Sequence, residues 1–340
     1  MPLDKEQPIP TTLGRRHDVD WLRVMAMGLL IVYHIMISFQ PWGHKILFIQ
    51  NGVSMERAWM IMEMINVWRI PILFMVSGMG VRFAMERRNW RQMLKDRTVR
   101  ILVPLAFGVF FICPITVFFG LKYYENKLVY FPNTGHLWFL ANIYLYVLIL
   151  LPVLAYLRNH PNNRFLRLLS KLFRRPIALF LTALPLMIEA WIVNPENFPS
   201  YAKTAHGFWI GLAAFFTGFV FISLKDVFWK AAKGVRHSAL ALALLLYLLR
   251  MLVFRADGEP NALIAFESMC WMLAILGYGS LHLNKPSKKL AYLSQAVYPV
   301  YIIHMPVQTA ISYFLLPLPL PATLKLAALL AGTFGICLLL

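Results

Sequence analysis

Acidic side chains are scarce in this chain of 340 residues: 15 Asp and Glu stand against 33 Lys and Arg, and all charged residues make up only 14%. So little charge cannot cover the surface of a soluble domain, and 59% hydrophobic residues with a mean hydropathy of +0.62 say the same. Cysteine is nearly absent too: Cys113, Cys270 and Cys337 each lie inside an apolar run, at no metal-ligand spacing. That excludes a disulfide framework and a metal site, and it leaves helix-packing thiols. There is no Walker loop, HExxH, CxxC or serine-hydrolase elbow, nor the two-half repeat common in secondary transporters. The N-terminal MPLDKEQPIPTTLGRRHDVD lacks the short apolar core and small-residue cleavage site of a signal peptide.

Long apolar runs are what the chain has in excess. Ten recur, at 21–40, 59–81, 101–120, 137–157, 177–193, 206–223, 238–253, 262–282, 293–316 and 322–340. Each approaches the ~20 residues a helix needs to cross a hydrocarbon core. The expectation is an all-α, polytopic membrane protein with one domain over 1–340, in which 1–17 form a cytoplasmic N-terminal segment. Counted connection by connection, the odd-numbered segments carry 23 Lys and Arg and the even ones 7. This alternation is the positive-inside pattern, and it puts the N-terminus in the cytoplasm. The net charge of +18 is thereby assigned to topology and anionic lipid, and nucleic acid is not expected as a partner. The last residues, GICLLL, stop inside an apolar run, so the chain either ends at the inner face or is a shortened piece.

The first span, DVDWLRVMAMGLLIVYHIMISFQ, holds two groups that a bilayer disfavours, Arg23 and His34. Eleven positions are close to three helical turns, so both leave one face about 16 Å apart, like two ends of a lined cavity. Asp20, three residues before Arg23, is placed to neutralise it. In the second span Glu63 lies near the outer end, Arg69 two turns further in, and Pro71 just after. Pro71 is expected to kink the helix and free a carbonyl for a polar neighbour. Since the first two spans run in opposite directions, Glu63 and His34 are expected at similar depth. Glu63 then holds the His34 imidazole in one tautomer, pairs with Arg69, or reaches the outer interface.

Two RxxR pairs, Arg88/Arg91 and Arg97/Arg100, sit in the cytoplasmic connection that follows. Each presents a fork of donors suited to phosphate, or serves as an ordinary positive-inside cluster. His136 and Trp138 open the fourth span, as interface residues or as a lining on which a sugar ring can stack. In the ninth, Tyr298, Tyr301 and His304 share a face at i,i+3 spacing, with Pro299 and Pro306 beside them. Substrate lining and aromatic core packing compete there. His206, Arg250, Arg255 and Glu267 stand near span ends and read as flanks.

Taken in order, the R-x10-H pair of Arg23 and His34, FMVSGMG, the RxxR pair Arg97/Arg100 with Ile101 and Pro104, HLWFL and YPVYIIHMP resemble acyltransferase family 3, the integral-membrane acyltransferases. DVDWLR and HLWFL are most similar to its glucan biosynthesis protein C-like branch. The resemblance covers roughly residues 15–310. It implies a membrane acyltransferase that moves an acyl group from cytoplasmic acyl-CoA to a hydroxyl, often of a carbohydrate, at the outer side. It also implies that His34 is the essential histidine and that Arg23, Arg97 and Arg100 bind the donor phosphates; Arg69, outside those motifs, is a further donor-binding candidate.

The chemistry agrees. Attack of a hydroxyl on a thioester needs a base near neutral pH, which imidazole supplies, with an acyl-imidazole as the alternative route. The oxyanion needs donors, for which Arg69, Tyr301 and His304 are candidates. His34 and Glu63 are accordingly the expected catalytic pair, and His136, Trp138, Tyr298, Tyr301 and His304 the acceptor or pocket lining. No bound cofactor or metal is expected; acetyl-CoA or succinyl-CoA is the donor, and the bacterial inner membrane the expected location. A proton-coupled transporter or flippase, and a non-catalytic scaffold, are the rival readings. Acceptor and oligomeric state stay open.

Overall fold

In the computed structural model, residues 14–254 and 258–340 are described; Arg255 and residues 1–13 lie outside them. Helices joined by irregular connections make up the described residues, with no strand among them. The first crossing is α1 (His17–Ile37) and the second α2 (Trp59–Arg87). The third is a composite of α3 (Trp90–Arg97), α4 (Val103–Phe107) and α5 (Cys113–Glu125), joined by π turns at Thr98–Leu102 and Gly108–Ile112. Next come α6 (Trp138–Asn159), a short amphipathic α7 (Arg164–Leu172), and a fifth crossing that starts as the 3-10 segment Pro176–Ala183 and ends as α8 (Leu184–Val193). Five long helices complete the chain: α9 (Ala205–Ser223), α10 (Asp226–Leu252), α11 (Asn261–His282), α12 (Lys288–Leu315) and α13 (Ala322–Leu339).

Nine of these stretches among the described residues are long and apolar enough to cross a membrane, so the chain is an all-α polytopic membrane protein. The tenth expected span is α12, which has 28 residues but falls outside that set. Its Ser, Gln, Tyr, His and Pro residues lower its apolarity, and it packs between α1, α5 and α13. Helix α2 is buried along most of its length and forms the axis of the bundle; α10 and α13 turn much of their surface outward. Where α2 crosses α9, Gly78 and Gly218 face each other's helix. A β-carbon on either would collide with the backbone carbonyl of Phe215 or Met75. Small residues thus bring the two backbones together, as membrane helices require.

Prolines set the local geometry around the centre. A proline has no N–H for the carbonyl four residues earlier, and at four positions a side chain from elsewhere supplies the missing donor. Pro71 leaves the Val67 carbonyl to the Tyr201 hydroxyl (3.0 Å), the use foreseen for a carbonyl freed by that residue. Pro104 leaves Arg100 to Tyr298 (2.7 Å), and Pro114 leaves Phe110 to Tyr130 (2.8 Å). Pro306 leaves Ile302 to His136 Nε2 (3.0 Å). Kinks and polar cross-links therefore arise together.

Three expectations need correction. Asp20 pairs with Arg15 at 3.1 Å rather than with Arg23, because Arg15 reaches back over the first turn. The outer-end residues Arg250 and Glu267 are not flanks: Arg250 Nε bonds Glu267 Oε2 at 3.0 Å, and both side chains are buried. His206 is buried as well, with Nδ1 3.0 Å from Glu189 Oε1.

Candidate functional site

Two cavities lie end to end in the bundle. The larger, about 850 Å³, opens at the arginine-rich end and is lined by Arg15, Arg16, Arg23, Arg87, Arg88, Arg97, Arg100 and Arg158, with Tyr298 and Tyr301 on the wall. The charge rule assigns this end to the cytoplasm. The smaller, about 80 Å³, is lined by His34, Arg69, Tyr33, His136, Trp138 and Tyr201 among others. Leu73, Phe139 and Tyr301 line both, so they form the wall at which vestibule and chamber meet.

In the vestibule, one turn of α1 contributes Arg23, and the π turn after α3 contributes Arg100. Gly80 of α2 leaves room for Arg23, whose guanidinium lies 3.3 Å from where a β-carbon would stand. The Tyr298 hydroxyl holds the Arg100 carbonyl and so ties α12 to the arginine turn. Arg88 is engaged by Asp96 at 2.9 Å. Arg23, Arg97 and Arg100 have no carboxylate partner among the described residues.

In the chamber, His34 occupies the last turn of α1, the end remote from the arginines. Its carbonyl, an orphan of the helix terminus, accepts from Gln308 Nε2 at 2.9 Å. Its Nδ1 lies 3.0 Å from His304 Nε2, and the two rings stack at 14° with centroids 5.2 Å apart. His34 Nε2 makes no hydrogen bond and is not sealed from the chamber. Arg69 faces the same space. It is 3% exposed, its guanidinium carbon stands 3.6 Å over the Tyr33 ring, and its Nε and Nη1 have no hydrogen-bond partner. Burying a cation this way is costly, and the face of the Tyr33 ring offsets part of that cost.

Glu63 is where the structure departs most from expectation. Its Oε1 accepts from Trp59 Nε1 at 2.6 Å, while its Oε2 and backbone carbonyl face Arg250 at 3.5 and 2.9 Å. It touches neither His34 nor Arg69. Depth alone had paired Glu63 with His34, but Arg250 of α10 and Trp59 one turn earlier claim the carboxylate. His304 also differs: it is fully buried behind His34 and lines neither cavity. Tyr301 does line both, but its hydroxyl is committed to the His136 carbonyl.

Several lining residues had no sequence signal beyond type. Tyr201 comes from the connection between α8 and α9, together with Pro199 and Ala202, and roofs the chamber at its outer end. Burial pushes its phenol well above the ordinary value, with Arg69 pulling the other way, so it stays a neutral donor to Val67. Gln308 could have been found, since it follows His304 by one turn on the same face. Among the described residues no group of three or more His, Cys, Asp or Glu can hold a metal ion.

The site is thus an arginine-lined vestibule bordering a small histidine chamber inside a helical membrane bundle. Residues 16–340 match the family model described as the acyltransferase domain, that of acyltransferase family 3, and the chain belongs to that family. It is similar to Glucans biosynthesis protein C of Escherichia coli strain K12, with 22% identity over 341 residues, covering 91% of this chain and 86% of that protein. The proteins of the same name from E. coli O1:K1 / APEC and O45:K1 (strain S88 / ExPEC) are 22% identical over 343 residues, with the same coverage. No solved structure gives a significant match.

Proposed function

We propose that this membrane acyltransferase transfers an acetyl or succinyl group from cytoplasmic acyl-CoA to a hydroxyl of a carbohydrate-type acceptor at the outer side of the bacterial inner membrane, with His34 as general base. The observation that carries this reading is the chamber in which His34 and Arg69, which has no carboxylate partner among the described residues, share a space that borders the arginine vestibule. Arginine forks suit the phosphates of coenzyme A, so Arg23, Arg97 and Arg100 are assigned to the donor. The pantetheine arm then passes Leu73, Phe139 and Tyr301 to bring the thioester beside His34. The relatives' name refers to glucan biosynthesis, which supports a carbohydrate acceptor.

In the reaction His34 Nε2 takes the hydroxyl proton as the oxygen attacks the thioester carbonyl carbon. The C–S bond then breaks, and the same proton passes from His34 to the leaving thiolate. Histidine in this role contributes about 10²–10⁴ in rate. The oxyanion finds its donor in Arg69, since the Tyr301 hydroxyl and both His304 nitrogens are already occupied.

The test is thiol release from acetyl-CoA and succinyl-CoA by the purified chain with oligosaccharide acceptors, wild type beside His34→Ala. Loss of turnover in a folded His34→Ala supports the assignment; equal rates remove His34 from the chemistry. Substrate movement across vesicles without thioester consumption would instead favour the transporter reading.

A further inference from the structure

We infer that His304 is a positioning residue that fixes His34 in the tautomer with Nε2 bare, with the Tyr301 carbonyl as the fixed end of the chain. The inference rests on the reading of His34 as base and adds what sets its proton. His304 Nδ1 lies 2.7 Å from the Tyr301 carbonyl oxygen. A carbonyl only accepts, so His304 Nδ1 carries a hydrogen and donates it. In the neutral ring His304 Nε2 is then the acceptor. The atom it faces, at 3.0 Å, is His34 Nδ1, which must therefore be the donor. His34 Nε2 is left with a free lone pair, and this is the one nitrogen of the pair with access to the chamber.

One backbone oxygen thus dictates two tautomers in series. The orientation logic is that of a triad in which a third group holds the base, but here the third group is neutral and no carboxylate is involved. When Nε2 takes a proton, His34 keeps its Nδ1 hydrogen on His304, and the Tyr301 carbonyl dipole bears on the cation through the second ring. The neighbouring backbone is held in place independently. His136 occupies the Ile302 carbonyl that Pro306 leaves free, the Tyr301 hydroxyl holds the His136 carbonyl, and Gln308 holds the His34 carbonyl. His304 itself is 0% exposed, so no water competes for either of its nitrogens.

The test combines kinetics with a direct view of the tautomer. The full chain labelled with 15N-histidine is placed in nanodiscs, and the His34 signals are identified by their loss in His34→Ala. Wild type is expected to show His34 protonated at Nδ1 and bare at Nε2; the opposite tautomer overturns the inference whatever the activity. His304→Leu, which removes the acceptor, is expected to lower kcat by about 10²–10⁴-fold, the range spanned by losing an oriented base. Its donor KM stays unchanged, and the His34 signals become those of mixed tautomers. His304→Gln offers an amide oxygen where Nε2 stood and is expected to restore most of the rate and the single tautomer. Full turnover in His304→Leu, or a Gln variant as slow as Leu with the wild-type tautomer retained, also overturns it. If His304→Leu does not fold, the wild-type spectrum and the Gln variant decide. Full turnover in His34→Ala sinks the base reading instead, so the two failures are separable.

Discussion

A guanidinium buried to 3% exposure with Nε and Nη1 unmet by any hydrogen-bond acceptor costs several kcal/mol, and negative charge developing beside it offsets that cost. A ligand that brings negative charge only as it reacts would answer Arg69 in the transition state and not before, which is the condition for raising kcat. Arg69→Ala is therefore expected to lower kcat by about 10²–10³-fold with donor KM little changed. Steady-state kinetics check this, and a pure KM effect would assign Arg69 to the donor instead. Glu63 makes the opposite case. Its ties to Trp59 and Arg250 make it a structural group at the outer end, so Glu63→Gln should leave the turnover of folded protein within about twofold. Glu267→Gln, which strips Arg250 of its closest carboxylate, is expected to cost about 3–5 kcal/mol in thermal unfolding.

At the scale of helices, each proline-freed carbonyl is a two-body arrangement that a double-mutant cycle can isolate. Tyr201→Phe leaves the Val67 carbonyl without a donor and is expected to cost about 1–3 kcal/mol. Pro71→Ala restores the N–H of residue 71, so Tyr201→Phe should cost measurably less in that background. Equal cost in both would mean that Tyr201 stabilises by ring packing alone. Pro71 and its spare carbonyl were legible in the sequence, because a proline's missing hydrogen bond is a local fact. Tyr201 was not, because it lies in a connection whose path over the chamber depends on how α8 and α9 pack. The spacing of Arg23 and His34 was legible for the same local reason: helical period alone puts them on one face. That Glu63 would go to Arg250, and that His304 would back His34 rather than line the cavity, depends on contacts α2–α10 and α1–α12 between distant parts of the chain. Span ends were legible to within about six residues except at the starts of the third crossing, which begins at Trp90 rather than 101, and of α10. Helix α10 begins at Asp226 rather than 238, because its first turns carry Lys and Arg that hide an apolar stripe.

For the whole molecule, the order vestibule, shared wall, chamber and outer roof implies two separate routes of approach. The vestibule carries the arginines, so an anionic donor should be drawn to that end and its KM should rise with ionic strength. Arg97→Ala is expected to raise donor KM about tenfold or more, the loss of a charge-assisted hydrogen bond, with kcat nearly unchanged. The chamber lies at the far end of α1, beneath Tyr201, Pro199 and Ala202 of the outer connection, and under the proposed function the acceptor is expected to enter there, away from the arginines. Sealed proteoliposomes with the chain oriented uniformly separate the two routes. With acyl-CoA supplied only at the arginine end and oligosaccharide only at the other, acylated product should accumulate on the acceptor side and free coenzyme A on the donor side. Reversing the two supplies should abolish turnover. Product formed equally in both arrangements would mean that donor and acceptor share one mouth, and the wall formed by Leu73, Phe139 and Tyr301 would then be packing rather than the passage between two sides of a membrane.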